Sequence, residues 1–153
     1  MANYNPHIHH RHSIRLNGYD YFQAGAYFVT LCTSGRRCYF EQFQKLRQIV
    51  DDQWRCIPDR FTAVLLDTYV IMPNHLHGIL VICRDAGIPD CGTSPLGEIV
   101  GAFKSLCVND WLKVIRAEQL DAKGKFWQAN YYEHVIRSDS EMDRIREYIV
   151  NNP

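Results

Sequence analysis

Short runs dense in aromatic and β-branched residues alternate along this chain with stretches in which apolar residues recur every three or four positions. Ala26 to Thr33 is the first such run and predicts a strand. From Phe40 to Ile57 the apolar positions Phe43, Leu46, Val50, Trp54 and Ile57 follow helical spacing, which predicts a helix with one buried stripe, ended by Pro58. Thr62 to Met72 and His75 to Cys83 predict two more strands, joined through the turn residues Pro73-Asn74 into an antiparallel hairpin. After the Gly/Pro/Asp-rich loop Arg84 to Thr93, Ser94 is placed to cap a helix with Pro95 at its first position. Leu96, Ile99, Phe103, Leu106 and Val114 form the buried stripe of that helix. Phe126 to Ile136 predicts a last strand. Ser138 and Glu141 have capping-box spacing and open a final helix whose core face is Met142, Ile145 and Ile149.

The order strand, helix, strand, strand, helix, strand, helix implies an α+β fold. Its core is a ferredoxin-like βαββαβ unit: an antiparallel sheet with one layer of helices on one face, followed by the C-terminal helix. At 153 residues and 46% hydrophobic content the chain makes one domain with a real core. Residues 1–25 lack periodicity and are read as an arm, and 26–153 as the domain. No apolar run is long enough for a membrane span and no signal-peptide pattern is present, which leads us to expect a cytoplasmic protein without a membrane partner. Cys32, Cys38, Cys56, Cys83, Cys91 and Cys107 have no CxxC spacing and read as reduced core thiols.

The formal net charge is zero, which weighs mildly against a general nucleic-acid binder. Its distribution changes that picture: residues 1–48 hold six Lys/Arg against two Asp/Glu, and 49–153 hold eleven against fifteen. A phosphate-binding surface would therefore draw on the first third and on local patches. Arg15 lies in the arm, Arg36 and Arg37 sit at the tip of the turn after the first strand, and Lys104 lies off the buried stripe of its helix. The plain alternative for each is solvated surface charge.

The candidate chemistry begins at His75-Leu76-His77. Residues two apart on a strand face the same way, so the two imidazoles stand side by side while Leu76 and Leu80 turn to the other face. Neutral imidazoles are common ligands for divalent transition ions, yet two ligands are an incomplete site, and the pair can equally be one satisfied polar residue and one exposed one. On the last helix Tyr148 and Asn152 are four apart and lie one above the other, about a hundred degrees from the Ile145/Ile149 stripe. A half-buried boundary tyrosine and a C-terminal cap residue are the ordinary readings. Together with the histidines, an amide oxygen from Asn152 would complete a partly open metal site. Tyr148 would then be placed for in-line attack on a bound phosphodiester, forming a covalent phosphotyrosine. His134 is one possible acceptor for the phenol proton.

Over almost the whole chain these stretches are similar to the REP-associated tyrosine transposases, a branch of the single-tyrosine HUH nucleases related to insertion-sequence transposases. The similarity runs through Arg11-His12-Ser13-Ile14-Arg15-Leu16, Gly18-Tyr19-Asp20-Tyr21 and Gly25-Ala26-Tyr27-Phe28-Val29-Thr30. It continues through Met72-Pro73-Asn74-His75-Leu76-His77, Phe103-Lys104-Ser105, Trp127-Gln128, Tyr131-Tyr132-Glu133-His134-Val135-Ile136-Arg137 and Tyr148-Ile149-Val150-Asn151-Asn152-Pro153. The resemblance implies a metal-dependent transposase in which His75, His77 and Asn152 ligate Mg2+ or Mn2+ and Tyr148 is the nucleophile. It implies single-stranded DNA, typically a hairpin from a palindromic repeat, as substrate. Cleavage would leave a 5′-phosphotyrosine and a free 3′-hydroxyl. Many relatives have glutamine where Asn152 stands. Arg15, Arg36, Arg37, Lys104, Trp127 and Arg137 are the expected DNA contacts, and the chain would act as a monomer or homodimer.

Two other classes remain. A non-catalytic relative could hold hairpin DNA or RNA by stacking on Trp127, Tyr131 or Tyr132 and by the same cationic contacts. The tract His7 to His12 could instead be a metal-binding arm.

Overall fold

The computed structural model of the chain describes residues 25–83 and 95–152. Four strands, β1 (Gly25–Cys32), β2 (Val64–Met72), β3 (His75–Ile82) and β4 (Tyr132–Ile136), form one sheet in the order β2-β3-β1-β4. Every pairing is antiparallel. Between β1 and β2 run the helices α1 (Tyr39–Gln42), α2 (Gln44–Arg55) and α3 (Ile57–Arg60); α4 (Leu96–Glu118) joins β3 to β4, and α5 (Asp139–Val150) follows β4. This is the expected ferredoxin-like α+β core, with β1 and β3 central.

Alternation along the strands sorts side chains onto two faces. Tyr27, Val29 and Leu31 of β1 and Leu76 and Leu80 of β3 turn toward α2 and α4, where they bury Trp54, Phe103 and Trp111. Gly78 lies on this face because Trp54 occupies the space: a Cβ there would sit 2.4 Å from the indole Cζ2. On the opposite face Ile79 and Ile136 meet Ile149 of α5, with Phe28, Val70, Met142 and Ile145 half-buried around them. The sheet is thus covered by helices on both sides, so the expected single helical layer gains a second one from α5.

Several boundaries differ from the sequence pattern for local reasons. The single helix expected over Phe40–Ile57 breaks at Phe43, whose backbone is extended, and again at Cys56. Pro58 does not end a helix; it stands in the first turn of α3, where its missing N–H removes no helical bond. In α4 the cap position is Pro95. The expected Ser94 cap, the loop before it, Cys91, the arm and Pro153 lie outside the described residues. The buried stripe of α4 passes through Cys107 and Trp111 rather than Leu106. Of the expected strand over Phe126–Ile136, the ladder holds only Tyr132–Ile136, preceded by a single bridge from Trp127 to Thr33. Only Cys107 among the described cysteines is a buried thiol; Cys38 and Cys83 are exposed. At α5 the Ser138 hydroxyl accepts from the Glu141 N–H (3.1 Å), as a capping box requires. The Glu141 carboxylate reaches one residue further back, accepting from the Arg137 N–H at 3.0 Å.

Candidate active site

The site grows from the β1/β3 register. Because Thr30 stands opposite His77 and Cys32 opposite His75, both imidazoles and both partners share the face that carries α5. The two imidazole rings have centroids 4.4 Å apart and cross at 72°. His77 Nδ1 lies 2.8 Å from Thr30 Oγ1, and His75 Nδ1 donates to Asn74 Oδ1 at 2.6 Å. The Asn74 amide donates in turn to the Arg36 carbonyl at 3.3 Å, tying the hairpin turn to the turn after β1. Gly35 and Arg36 both adopt the left-handed region (φ 63° and 54°), which folds that turn back toward the histidines. The result is a hollow of about 210 Å³ lined by Thr30, Cys32, Arg36, Asn74, His75 and His77.

The surroundings of both imidazoles disfavour their protonated forms. Burial, then repulsion from the neighbouring His75 ring when that ring is protonated, brings the His77 pKa down to about 4, and burial followed by the Arg36 guanidinium lowers that of His75. With each Nδ1 facing an oxygen, the rings are oriented and Nε2 is the nitrogen left to serve as a ligand. That outer partner on the far nitrogen is the arrangement that steadies an imidazole as a metal ligand. Among the described residues no group of three or more His, Cys, Asp or Glu side chains is clustered to hold a metal, so this donor set consists of two imidazoles.

Tyr148 comes to this pair from α5 of the same chain. Its ring lies 5.5 Å from that of His77 and 6.3 Å, edge-on, from that of Phe28, which itself stacks on His77 at 5.4 Å. The tyrosine is 53% exposed, whereas His77 is 7% exposed. The phenol is therefore neither sealed in the core nor remote from the histidines. Asn152 follows α5 with its N–H on the Ile149 carbonyl (3.4 Å) and lines, with Tyr148, Arg144, Glu147 and Asn151, a second hollow of about 390 Å³. The Tyr148 ring thus meets His77 on one side and shares the second hollow with Asn152 on the other.

The expected DNA contacts separate. Arg36 borders the histidine hollow, and Arg37 is exposed in the same turn. Lys104 sits on α4, which covers the other face of the sheet. It is not free: its ammonium donates to the carbonyls of Gln128 (2.7 Å) and Ala129 (3.3 Å), and burial, then Lys125, lowers its pKa. Trp127 is only 5% exposed and packs on Phe40, Phe103 and Phe126, so its ring is spent on the core rather than offered to a base. Arg137 is half-buried just after β4, and Arg15 lies outside the described residues. His134 pairs with the Glu141 carboxylate. Thr30 and Asn74 are the partners that sequence reasoning missed. Asn74 is signalled by its position next to His75, whereas Thr30 emerges only from the strand register.

No protein-family model matches the chain. An uncharacterized protein of Haemophilus influenzae is 40% identical over 171 aligned positions, covering 98% of this chain and 92% of the relative. Among solved structures, a REP-associated tyrosine transposase bound to a REP hairpin superposes with a TM-score of 0.58 at 23% identity, over 91% of this chain and 72% of that one. A transposase candidate from Deinococcus radiodurans gives a TM-score of 0.52 at 19% identity, over 90% of this chain and 95% of that one. This chain therefore belongs to one family with the Haemophilus influenzae protein, and its fold is that of the REP-associated tyrosine transposases, which its motifs resemble.

Proposed function

We propose that the protein is a metal-dependent endonuclease and strand transferase for single-stranded DNA, a transposase that cuts at hairpin repeats through Tyr148. The observation that carries this reading is the half-exposed Tyr148 ring 5.5 Å from His77 within one chain. In the proposed reaction the Tyr148 oxygen attacks a phosphodiester and the bond to the 3′ oxygen breaks. The DNA is left as a 5′-phosphotyrosine, and the phenol proton ends on the departing 3′-hydroxyl. Attack by that hydroxyl, or by another, reverses the step and joins strands. Mg2+ or Mn2+ would be held by Nε2 of His75 and His77, with the Asn152 amide as the proposed third donor. When bound, it supplies Lewis-acid stabilisation of the phosphate charge. Thr30 and Asn74 keep the two rings turned toward that position. Arg36, beside the hollow, and Arg37 are the proposed phosphate contacts, joined by Arg15 and Arg137.

Hairpin oligonucleotides taken from palindromic repeats near the coding region, incubated with the protein and Mn2+, test this reading. The expected result is a denaturation-resistant protein–DNA adduct that is lost in Tyr148→Phe and in His77→Ala. An adduct that persists in Tyr148→Phe overturns the assignment. Tight hairpin binding without any adduct supports instead a non-catalytic hairpin-binding relative, a reading favoured by the two-imidazole donor set among the described residues.

A further inference from the structure

The tyrosine helix is held to the sheet by little apolar surface. Of its residues only Ile149 is fully buried, with Met142 and Ile145 half-buried against Ile79 and Ile136. A stripe this narrow resists lifting of the helix better than it resists rolling about its axis. Something else must fix the roll, because the roll decides where the Tyr148 ring lies.

The edge strand β2 supplies it. Its pairing with β3 shifts register between Leu66, opposite Leu80, and Tyr69, opposite Gly78. Asp67 and Thr68 together thus face the single residue Ile79, which is a β-bulge, a device that re-aims side chains. Leu66 before the bulge and Tyr69 after it both pack on the α2/α4 side, so Asp67, next to Leu66, faces α5 with Ile79. There Asp67 Oδ1 accepts from Arg146 Nε at 2.9 Å and Oδ2 from Arg146 Nη2 at 2.8 Å, a two-pronged fork. The same carboxylate also accepts from the Thr68 N–H (2.7 Å) and hydroxyl (3.0 Å), which keeps it from swinging. Arg146 is braced by Asp143 at 3.1 Å. On a helical wheel Arg146 and Tyr148 are about 200° apart, on opposite flanks of the Ile145/Ile149 stripe. The fork therefore grips the β2 side of α5 while the phenol leans over β1 and β3.

We propose that Asp67 and Arg146, mounted on the β2 bulge, are positioning residues that set the roll of α5 and hence the approach of the Tyr148 phenol to the histidine pair. The catalytic half of this inference rests on the nuclease reading; the geometric half does not. A planar fork fixes orientation as well as distance, so a lysine cannot replace it.

The test uses the full chain with Asp67→Asn, Arg146→Lys and the exchanged pair Asp67→Arg/Arg146→Asp. At saturating hairpin DNA, the single-turnover rate of adduct formation falls on the order of 10- to 100-fold in each single variant, as expected for a displaced nucleophile. Hairpin affinity stays near wild type, the melting transition falls only slightly, far less than the rate, and the exchanged pair recovers part of the rate. A second reading needs no catalysis: the His77 ring signals in NMR feel the adjacent phenol, and Tyr148→Leu marks their position without it. In Arg146→Lys and Asp67→Asn these signals move toward the Tyr148→Leu position. Rates and His77 signals that both stay at wild type overturn the inference, as does a rate loss matched by an equal loss of folded protein. If wild type forms no adduct at all, the nuclease reading fails, and the His77 signals alone then decide whether the fork sets the helix.

Discussion

The two faces of the sheet are built to different specifications. Toward α2 and α4 lies a deep apolar core in which Trp54, Trp111, Phe40, Phe103 and Phe126 are all fully buried, together with Tyr27. Toward α5, among the described residues, only Ile79 and Ile149 reach comparable burial. Much of the rest of that face is polar or half-open: Thr30, His75, His77 and Tyr148. Burial of apolar area is the dominant favourable contribution to folding, so the first face carries the stability. The second can then place imidazoles and a phenol where they are partly desolvated but reachable, and it uses ion pairs and caps in place of packing to seat its helix. Stability and chemistry are thus divided between the two sides of the same strands.

The sharpest test of this division sets one substitution on each face. Tyr148→Phe is expected to abolish cleavage, a loss on the order of 10⁴-fold or more for a nucleophile. Because the residue is half-exposed, its melting temperature should stay within about 2 °C of wild type. Gly78→Ala works from the other side, driving a methyl group into Trp54. It is expected to cost about 1–3 kcal/mol, lowering the melting temperature by about 2–4 °C per kcal/mol. In a Trp54→Phe background the same change should cost less, since the colliding ring is smaller. An equal cost in both backgrounds would show that the indole is not what requires glycine.

A smaller effect separates Lys104 from the site. Its ammonium holds the carbonyls of Gln128 and Ala129, so Lys104→Met should lower stability by about 1 kcal/mol, read by urea denaturation. The salt dependence of hairpin binding should not change. A phosphate contact would instead reduce that slope by roughly one unit and leave stability alone.

How legible this division was in the sequence follows from the range of each signal. The paired histidines were readable because strand periodicity is local, and Leu76 and Leu80 are buried on the other face as that periodicity demands. The Ser138 cap and the α5 stripe were readable for the same reason. Trp127 was not. Aromatic and β-branched residues over Phe126–Ile136 signal burial as strongly as strand pairing, and here Phe126 and Trp127 are buried largely outside the ladder. Thr30, 47 residues from His77, and Asp67, 79 residues from Arg146, become partners only through register and helix docking. No window along the chain contains either pair.

The last prediction reads the helix seat by acid titration. The Arg146 fork first, and the Thr68 donors after it, bring the Asp67 carboxyl down to about 2 from an ordinary 3.8. A carboxyl depressed in the folded state contributes its stabilisation fully above the unfolded value. It loses that contribution as pH falls from near 4 toward 2. Against the opposing effect of burial, His134 and the Arg137 N–H hold the Glu141 carboxyl below its ordinary value as well, so wild-type acid sensitivity alone does not isolate Asp67. The difference between wild type and Asp67→Asn does, because Glu141 is common to both. Hydrogen exchange at the α5 amides, or thermal melts, should show wild type more stable than Asp67→Asn above pH 4, with the gap narrowing on acidification and closing near pH 2. The gap should be small, as befits a pair in which Arg146 is 43% exposed. A gap that stays constant down to pH 2 would mean that the carboxylate charge does not hold α5. The apolar stripe would then be sufficient, and the contrast between a packed face and a face seated by ion pairs would fail at its most exposed point.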